Sequence, residues 1–387
     1  TTNEHGEFEF RELNDFAYKL TAKYIGYETG EQIVKTGSTV IVQMKPLEIH
    51  LEDVVVTATR ATAGTPVAFT NVSKKQIGER NSGQDLPYLL MLTPSFIATS
   101  DAGTGIGYTG FRIRGTDANR TNVTVNGIPY NDAESHSVYL VDMPDFASSL
   151  NSVQVQRGVG TSTNGASAFG ASINMQTETL NPVSYAEIGT SLGSFNTMKN
   201  TLKAGTGLIN NFAVDVRLSN LVSDGFIDRA SANMKSYYAS AGYYGNKTML
   251  KFMTFGGKEK TYQAWNGVDL DNYPRTYNEL GKYTDSNGNT QFYKNQTDDY
   301  GQYHYQLHLT QILSPSLSLN AALHYTRGIG FYEEYKTDRK YAEYGLTPAI
   351  VNGTVLKKTD LVRQKWLDNH FGGATVSLNY QKEKYSL

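Results

Sequence analysis

The sequence predicts a mainly β protein: a partial transmembrane antiparallel β-barrel, preceded by a small α+β domain and a short N-terminal β-module. Three observations predict this fold. Segments of about ten residues alternate apolar and polar side chains, the loops between them alternate in length, and tyrosines are concentrated in the second half of the chain. The 387 residues include 27 Tyr and no Cys, which excludes disulfides, thiolate metal sites and a cysteine nucleophile.

The charge of the chain is nearly balanced. Lys and Arg number 35 and Asp and Glu number 37, so the formal net charge is −2. A protein that binds nucleic acid would carry a basic surface, and we therefore expect no nucleic-acid partner. No run of about 18 apolar residues and no basic-then-apolar opening is present, so neither a transmembrane helix nor a signal peptide is predicted.

Residues 1–50 are predicted to form short antiparallel strands. Apolar side chains alternate with polar ones in three runs separated by Gly and Asn-Asp breaks: Phe8 and Phe10; Tyr18, Leu20 and Ala22; Val40 and Val42. A period of two is typical of a half-buried sheet. We interpret this module as a solvated β-domain without chemistry of its own.

Residues 51–65 are predicted to be an extended tether. Val54–Val56 favours an extended backbone, and the flanking sequence is charged on one side and rich in Ala, Thr and Gly on the other. An extended tether can add a strand to the edge of a partner's sheet. On composition alone, an ordinary linker strand is the stronger interpretation.

Residues 66–181 are predicted to form the α+β domain. Ser73–Gln76 has the spacing of a capping box at a helix start, and a second short helix is expected from Gln84 to Leu92, before Thr93-Pro94. Asn126-Gly127 predicts a tight hairpin, because both turn positions need positive φ. Two further strands are expected at Val153–Val155 and Ile173–Met175.

Three loops of this domain are rich in Gly and polar residues: Asp101–Gly110, Asn131–Ser137 and Gly158–Gly170. The first contains G-x-G-x-x-G, but Phe111–Gly115 continues as an alternating strand and not as a helix, so a dinucleotide site is not expected. Asn131–His136 could serve metal or acid–base chemistry, although a solvated loop is the simpler interpretation. Because no catalytic constellation or metal cluster is found, we expect neither an enzyme nor a metal site.

Residues 182–387 sustain the period of two, as in Leu317–Thr326, where Leu, Ala and Tyr alternate with polar side chains. We predict eight strands, at 183–193, 197–205, 212–222, 235–244, 248–256, 299–312, 316–332 and 362–380. The connections after the second, fourth and sixth strands are short and those after the third, fifth and seventh are long. Outer-membrane barrels have short periplasmic turns and long outer loops, whereas a soluble sandwich has no reason to keep this parity.

Eight strands are too few to enclose the α+β domain. They would close into a tube about 16 Å across, whereas a domain of about 120 residues is on the order of 30–35 Å wide. Enclosing it needs about 20 strands or more. We therefore expect the chain to be a fragment, truncated at both ends.

Four ordered motifs in the α+β domain carry a resemblance to a known family: Phe111–Gly115, Val123–Asp132, Val153–Gly158 and Asn164–Met175. In this order they resemble the plug domain of TonB-dependent outer-membrane receptors. Asp53–Ala58 is similar to the TonB box of those receptors. Gly6–Phe10, Tyr18–Ala22 and Ile25–Tyr27 resemble the carboxypeptidase-regulatory-like β-sandwich that is often appended to such receptors in Bacteroidetes-type bacteria.

The resemblance implies a plug inside a barrel of 22 strands in the outer membrane of a Gram-negative cell, with the N-terminal domain and the tether in the periplasm. It implies contact with a TonB-type energy-transducing protein through Asp53, Val54, Val55, Val56, Thr57 and Ala58. It also implies that apical plug loops face the ligand through Asp101, Thr104, Tyr108, Asn131, Asp132, Glu134 and His136. Arg114 and Arg157 match plug arginines that pair with carboxylates of the barrel wall.

The function that the resemblance implies is active import of a scarce ligand, without a cofactor. A ferric siderophore or similar iron complex is the expected ligand, with haem or cobalamin as related choices. A glycan importer of the same family and a non-transporting barrel (an adhesin or a porin) are the alternatives. A passive pore would need neither plug nor tether. Whether a surface lipoprotein caps the barrel stays open.

The loop from 257 to 298 is a second candidate for ligand contact, because it carries Tyr262, Trp265, Tyr273 and Tyr277 among polar residues. An aromatic girdle at the membrane boundary is the alternative interpretation. His304 and His308 face one side of a strand but lie about 13 Å apart, too far to share one metal ion.

Overall fold

The computed structural model describes residues 6–11, 13–14, 16–22, 29–44, 59–62, 64–160, 169–179, 181–267, 270–314, 316–382 and 385–386. Within these ranges, strands dominate and helices are short. No helix in the described ranges has the length and apolar character needed to cross a membrane.

The described part of the N-terminal module is a two-stranded antiparallel sheet. Strand β1 (Ala17–Ala22) pairs with β2 (Gly30–Lys35). The alternating runs at Phe8–Phe10 and Val40–Val42 are not strands in the structure. Alternation marks a face, but a strand also needs a neighbour for its backbone hydrogen bonds.

The α+β domain contains two small sheets and two short helices. Its elements are β3 (Ala68–Ser73), α1 (Lys74–Gly78), α2 (Leu86–Leu89), β4 (Phe96–Ser100), β5 (Thr109–Ile113), β6 (Thr116–Asp117), β7 (Thr121–Val125), β8 (Ile128–Pro129), β9 (Leu150–Arg157) and β10 (Ala171–Thr177). Short 3-10 turns lie at Ala118–Arg120, Leu140–Asp142 and Phe146–Ser149. The larger sheet has the order β3-β9-β10-β7-β8, with β7 parallel to β10, and β4-β5-β6 form the other.

The local signals read from the sequence are confirmed in this domain. Ser73 and Gln76 form the capping box of α1. The second predicted helix is present but shorter than expected, as α2. Asn126 and Gly127 have φ of 51° and 79°, so the β7–β8 hairpin has the left-handed turn that its sequence demands.

The larger sheet of this domain has one apolar and one polar face. The register places Gln154 opposite Asn174 and Gln156 opposite Ser172, and β7 continues the pattern. The polar face comprises Asn122, Thr124, Gln154, Gln156, Ser172 and Asn174, all at most 3% exposed. Complete burial of a polar sheet face requires hydrogen-bonding partners above it.

Residues 185–386 form a nine-stranded antiparallel sheet, which we call the wall. Its strands are β11 (Tyr185–Gly193), β12 (Thr197–Gly205), β13 (Phe212–Ser223), β14 (Ala232–Tyr244), β15 (Thr248–Tyr262), β18 (Thr297–Ser314), β19 (Leu317–Lys340), β22 (Lys358–Lys382) and β23 (Tyr385–Ser386). Two small hairpins, β16–β17 (Lys282–Thr284 and Thr290–Phe292) and β20–β21 (Ala349–Val351 and Thr354–Leu356), lie in its loops. The first eight wall strands confirm the eight predicted ones, and several extend further than expected.

The wall has the two-faced pattern that the sequence predicts. On the outer face Val214, Val216 and Leu218 are exposed, whereas Arg217 and Ser219 on the inner face are buried against the α+β domain. The long connections 224–231, 263–296 and 341–357 leave one end of the sheet, and the turns 206–211 and 245–247 leave the other. The first connection, 194–196, is also short, so the predicted alternation of lengths begins one hairpin later.

The wall contains a glycine that its partner strand requires. A Cβ added at Gly330 would collide with the carbonyl oxygen of Asp299 and would lie 2.6 Å from the Cα of Tyr300. No side-chain rotation relieves a clash with backbone. We expect Gly330→Ala to cost about 1–3 kcal/mol in thermal unfolding of the purified protein. Gly189→Ala is the control, since nothing lies within 4 Å of its added Cβ, and an equal loss in both variants would contradict this account.

Candidate functional site

The α+β domain and the inner face of the wall share one hydrophobic cluster. The apolar face of the domain's larger sheet contributes Val153, Val155, Ile173 and Met175, and the wall contributes Tyr238, Met253 and Phe255. The rings of Phe146 and Phe255 lie 4.7 Å apart across the contact. The domain is therefore packed against the wall by the same burial that forms its own core.

Asp145 forms the main polar contact between the domain and the wall. Its carboxylate lies 2.7 Å from Lys199 Nζ and 3.2 Å from Arg217 Nη1, both on inner-face positions of the wall. Arg217 also donates to the Asp145 carbonyl oxygen at 2.8 Å, and the hydroxyls of Thr201 and Ser219 donate to the carboxylate. All three charged side chains are at most 8% exposed, so this ion pair is buried.

The electrostatics of Asp145 follow from these partners. Burial alone would raise the pKa of the carboxyl, but the Arg217 and Lys199 charges outweigh it and lower the pKa to about 2. Sequence reasoning missed Asp145. A signal was present, because the alternation places Arg217 on the inner face, where a buried guanidinium needs an acidic partner.

The predicted apical loop 101–108 contacts the long wall loops. The Ala102 carbonyl accepts hydrogen bonds from the backbone of Phe226 at 2.8 Å and of Ile227 at 3.2 Å. The Tyr108 hydroxyl donates to Asp298, and its ring meets Trp265 edge-on at 5.4 Å. The structure thus brings together two residues, Tyr108 and Trp265, that were assigned separately to ligand contact. Thr104 lies in the same loop, and no partner for its buried hydroxyl is described.

A group of carboxyls lies below this loop, between the domain and the wall. Asp142, Glu259 and Asp298 are 8%, 1% and 6% exposed and close enough for their charges to interact. Gln302 Nε2 donates to Asp142 at 3.2 Å, but both Glu259 oxygens and one Asp298 oxygen have no hydrogen-bond partner in the described structure. Burial, and then the nearby Asp298 and Asp132, raise the pKa of Asp142.

Asp101, at the start of the apical loop, gives that loop a pH dependence. Burial raises the pKa of Asp101 to about 6, from 3.8. Its contribution to stability is therefore full below about pH 3.8 and is lost as the pH rises through 6. We expect amides 101–108 to exchange hydrogen faster relative to the intrinsic rate at pH 7.5 than at pH 4.5. Asp101→Asn should remove the difference and Glu134→Gln should not, whereas a pH effect that survives Asp101→Asn would assign it to another group.

The second predicted apical loop, 131–136, is tied to its own domain. Asn131 accepts from Val123 N at 2.8 Å and donates to the carbonyl of Thr121. Partial burial would raise the pKa of Asp132, but hydrogen bonds from Ser135 and Glu134 outweigh it and lower the pKa. Glu134 and His136 are exposed. The loop is an ordered turn that presents polar side chains to solvent.

The tyrosines of the loop between β15 and β18 have different surroundings. The Tyr262 hydroxyl donates to the carbonyls of Tyr293 and Leu280 and so holds the base of the loop. Tyr273 and Tyr277 stack on each other at 4.2 Å, and Tyr273 is 40% exposed. Of the four predicted contacts, Trp265 and Tyr273 therefore present the most surface.

Arg114 and Arg157 contact their own domain in the described structure. Arg157 donates to the Thr70 hydroxyl at 2.7 Å and to the Phe69 carbonyl. Arg114 Nη1 lies 3.4 Å from the Arg157 carbonyl oxygen. The contacts seen for this pair are thus with backbone and hydroxyl groups, while the charge pairing with the wall runs through Asp145.

The histidines of the wall serve as hydrogen-bonding residues. His304 lies 2.8 Å from Gln302 and stacks on Phe255 at 4.6 Å, and His308 lies 3.1 Å from Gln306. Across the described ranges, no three His, Asp or Glu side chains are grouped to hold a metal ion. The predicted TonB-box-like residues Asp53–Ala58 lie outside the described residues.

Comparison with known proteins identifies the α+β domain. Residues 61–172 match the family model of the TonB-dependent Receptor Plug Domain. A comparison with curated protein sequences gives no match.

The fold is similar to that of solved receptors. The siderophore receptor PiuA from Acinetobacter baumannii has a TM-score of 0.62 and 15% identity, over 85% of this chain and 44% of its own. The open form of the ferric-catecholate import receptor Fiu from E. coli K12 has a TM-score of 0.61 and 16% identity, over 84% and 48%. The copper transporter OprC has a TM-score of 0.58 and 13% identity, over 85% and 45%.

This chain spans less than half the length of these structures. The domain and the wall follow one another in it as one compact pair with a shared core. The chain therefore contains a plug domain of the TonB-dependent receptors, joined to an antiparallel sheet that has the fold of such receptors.

Proposed function

We propose that this chain belongs to an active importer of the outer membrane, in which a TonB-type protein pulls on the tether to open the plug. The observation that carries the proposal is the plug's docking on the inner face of the wall through a shared core and the buried Asp145–Arg217 pair. A passive pore or an adhesin has no use for a domain fixed in this position. The alternating faces of the wall suit lipid on one side and the plug on the other.

The ligand that we propose is a ferric siderophore or a related iron complex. Similar solved structures include receptors named for siderophores and a copper transporter, which supports a metal-bearing cargo over a glycan. Haem and cobalamin remain related choices, and a glycan importer is the second candidate. We place ligand contact at Tyr108, Trp265 and Tyr273, together with the exposed side chains of the 131–136 loop.

The remaining assignments follow from the same proposal. The N-terminal hairpin would belong to a carboxypeptidase-regulatory-like module of Bacteroidetes type in the periplasm, and the outer face of the wall would contact lipid. Asp53–Ala58 would pair with the edge of a sheet in the TonB-type protein. A surface lipoprotein is a further candidate partner.

Val55→Pro tests the mechanism. Proline removes a backbone donor that strand pairing needs, so we expect ligand uptake by cells to fall at least about tenfold while ligand binding to the same cells is unchanged. Val55→Thr, which keeps the donor and the β-branched shape, is the matched control. Uptake that survives Val55→Pro would count against a pulled tether, and single-channel conductance in the full-length wild type would favour the pore.

A further inference from the structure

The segment that directly follows the tether is held in the plug by side-chain amides. Gln154 brackets Ala61: its Oε1 accepts from the Ala61 N–H at 2.7 Å, and its Nε2 donates to the Ala61 carbonyl at 2.9 Å. Gln156 and Asn174 both donate to the Thr59 carbonyl, at 2.8 and 3.2 Å. These side chains give the segment the hydrogen bonds that a neighbouring strand would otherwise give.

Arg60 adds a second set of contacts from the segment itself. Its guanidinium donates to the Ser152 hydroxyl at 2.9 Å, to the Ser152 carbonyl and to the Asn174 carbonyl at 2.9 Å. Residues 59–62 are not part of a strand. We call the contacts of Thr59–Ala61 with Ser152, Gln154, Gln156 and Asn174 the clasp.

The clasp lies on the polar face of the plug sheet, and the opposite face is anchored. Val153, Val155, Ile173 and Met175 belong to the cluster that includes Tyr238, Met253 and Phe255 of the wall, and Asp145 fixes the same side through Lys199 and Arg217. A force applied at Thr59 thus acts on the polar face while the apolar face stays attached to the wall.

The two faces also differ in what their exposure costs. Water can replace the hydrogen bonds of a buried amide, so the net loss on opening the polar face is small. Opening the apolar face would expose hydrocarbon to water, which carries a cost in proportion to the area. A plug that must open repeatedly and reclose is therefore expected to open along its polar face.

We propose that the clasp is the element that a pull on the tether releases, and that its release opens a hydrophilic passage along Asn122, Thr124, Gln154, Gln156, Ser172 and Asn174 while the rest of the plug stays docked. The inference rests on the proposed function and adds the route. The passage suits a polar ligand rich in hydrogen-bonding groups, because the amide and hydroxyl side chains that line it can replace part of the ligand's water shell.

The test uses the absence of cysteine from these 387 residues. Ser172→Cys places a thiol on the polar face and Val155→Cys places one on the apolar face, and both positions are 0% exposed. In the intact receptor in cells, a hydrophilic maleimide reports exposure of each. We expect the Ser172→Cys thiol to react at least about tenfold faster when ligand and the TonB-type partner are both present, and the Val155→Cys thiol to stay unreactive.

Other outcomes overturn the proposal. Equal labelling of both thiols would mean that the plug unfolds or leaves as a whole. Labelling of neither thiol while uptake continues would place the opening elsewhere. Uptake that does not need the partner would overturn the proposed function itself, and with it the pulling step.

A second arm reads the clasp without transport. In the purified receptor, without partner or ligand, Arg60→Ala and Gln154→Ala should each raise the labelling rate of the Ser172→Cys thiol about tenfold and leave the Val155→Cys thiol unreactive. Arg80→Ala, a change at an exposed plug arginine, should change neither rate. If a clasp variant exposes both thiols, it has unfolded the plug; if both variants leave the Ser172→Cys rate unchanged, the clasp does not hold the polar face closed.

Discussion

Replacing Asp145 by Ala will loosen the plug from the wall and lower the free energy of unfolding by about 3–5 kcal/mol. The loss is large because Arg217 and Lys199 would remain buried without an anionic partner, at 3% and 8% exposure of their side chains. Calorimetry on the purified receptor measures the effect, and protease cleavage within the plug reports whether the plug has left the wall.

The control for Asp145 removes the charges together. Asp145→Ala with Arg217→Met and Lys199→Met should recover most of the loss, since a buried ion pair replaced by apolar side chains is often neutral or better. Asp145 has a depressed pKa of about 2 against 3.8, so its contribution is present above about pH 3.8 and is lost as the pH falls through 2. A single variant as stable as the wild type would contradict the account.

Replacing Asp142 by Asn will have the opposite effect and stabilise the docked plug, by about 1–3 kcal/mol at neutral pH. Asp142 lies among Glu259 and Asp298 without a cation to pair with, and the amide keeps the acceptor for Gln302. Because burial raises the pKa of Asp142, the wild-type contribution is full below about pH 3.8 and is lost as the pH rises. The gain from Asp142→Asn should therefore be larger at pH 8 than at pH 5.

Asp132→Asn is the matched comparison for Asp142→Asn. Both are plug carboxyls, but hydrogen bonds from Ser135 and Glu134 lower the pKa of Asp132, so its removal should destabilise. Thermal unfolding at the two pH values measures both variants. Equal signs for the two substitutions would mean that the surroundings described here do not set their energetics.

The sequence predicts the wall well because lipid and a packed interior impose opposite demands on successive residues. That demand weakens beyond the membrane, where both faces of a strand meet water or loops. This explains why the predicted ends of β15, β19 and β22 fell short of the observed Tyr262, Lys340 and Lys358.

The functional contacts were harder to predict, because they join residues far apart in sequence. Asp145 meets Arg217 only when the plug is docked, and no local pattern marks such a pair. The clasp is similar, since Gln154 and Asn174 read as ordinary polar alternation in two strands. Tyr108 and Trp265 were identified by residue type, but their proximity needed the fold.

The height of the last two long strands has a consequence for the cell surface. About 9–11 residues cross a bilayer, whereas β19 has 24 residues and β22 has 25. In the proposed orientation, their paired upper ends form a ribbon held by ion pairs such as Asp338–Lys358 and Arg339–Glu343. Such a ribbon carries the 341–357 tip clear of the lipid headgroups, within reach of antibodies and bacteriophage tail proteins that never touch the bilayer.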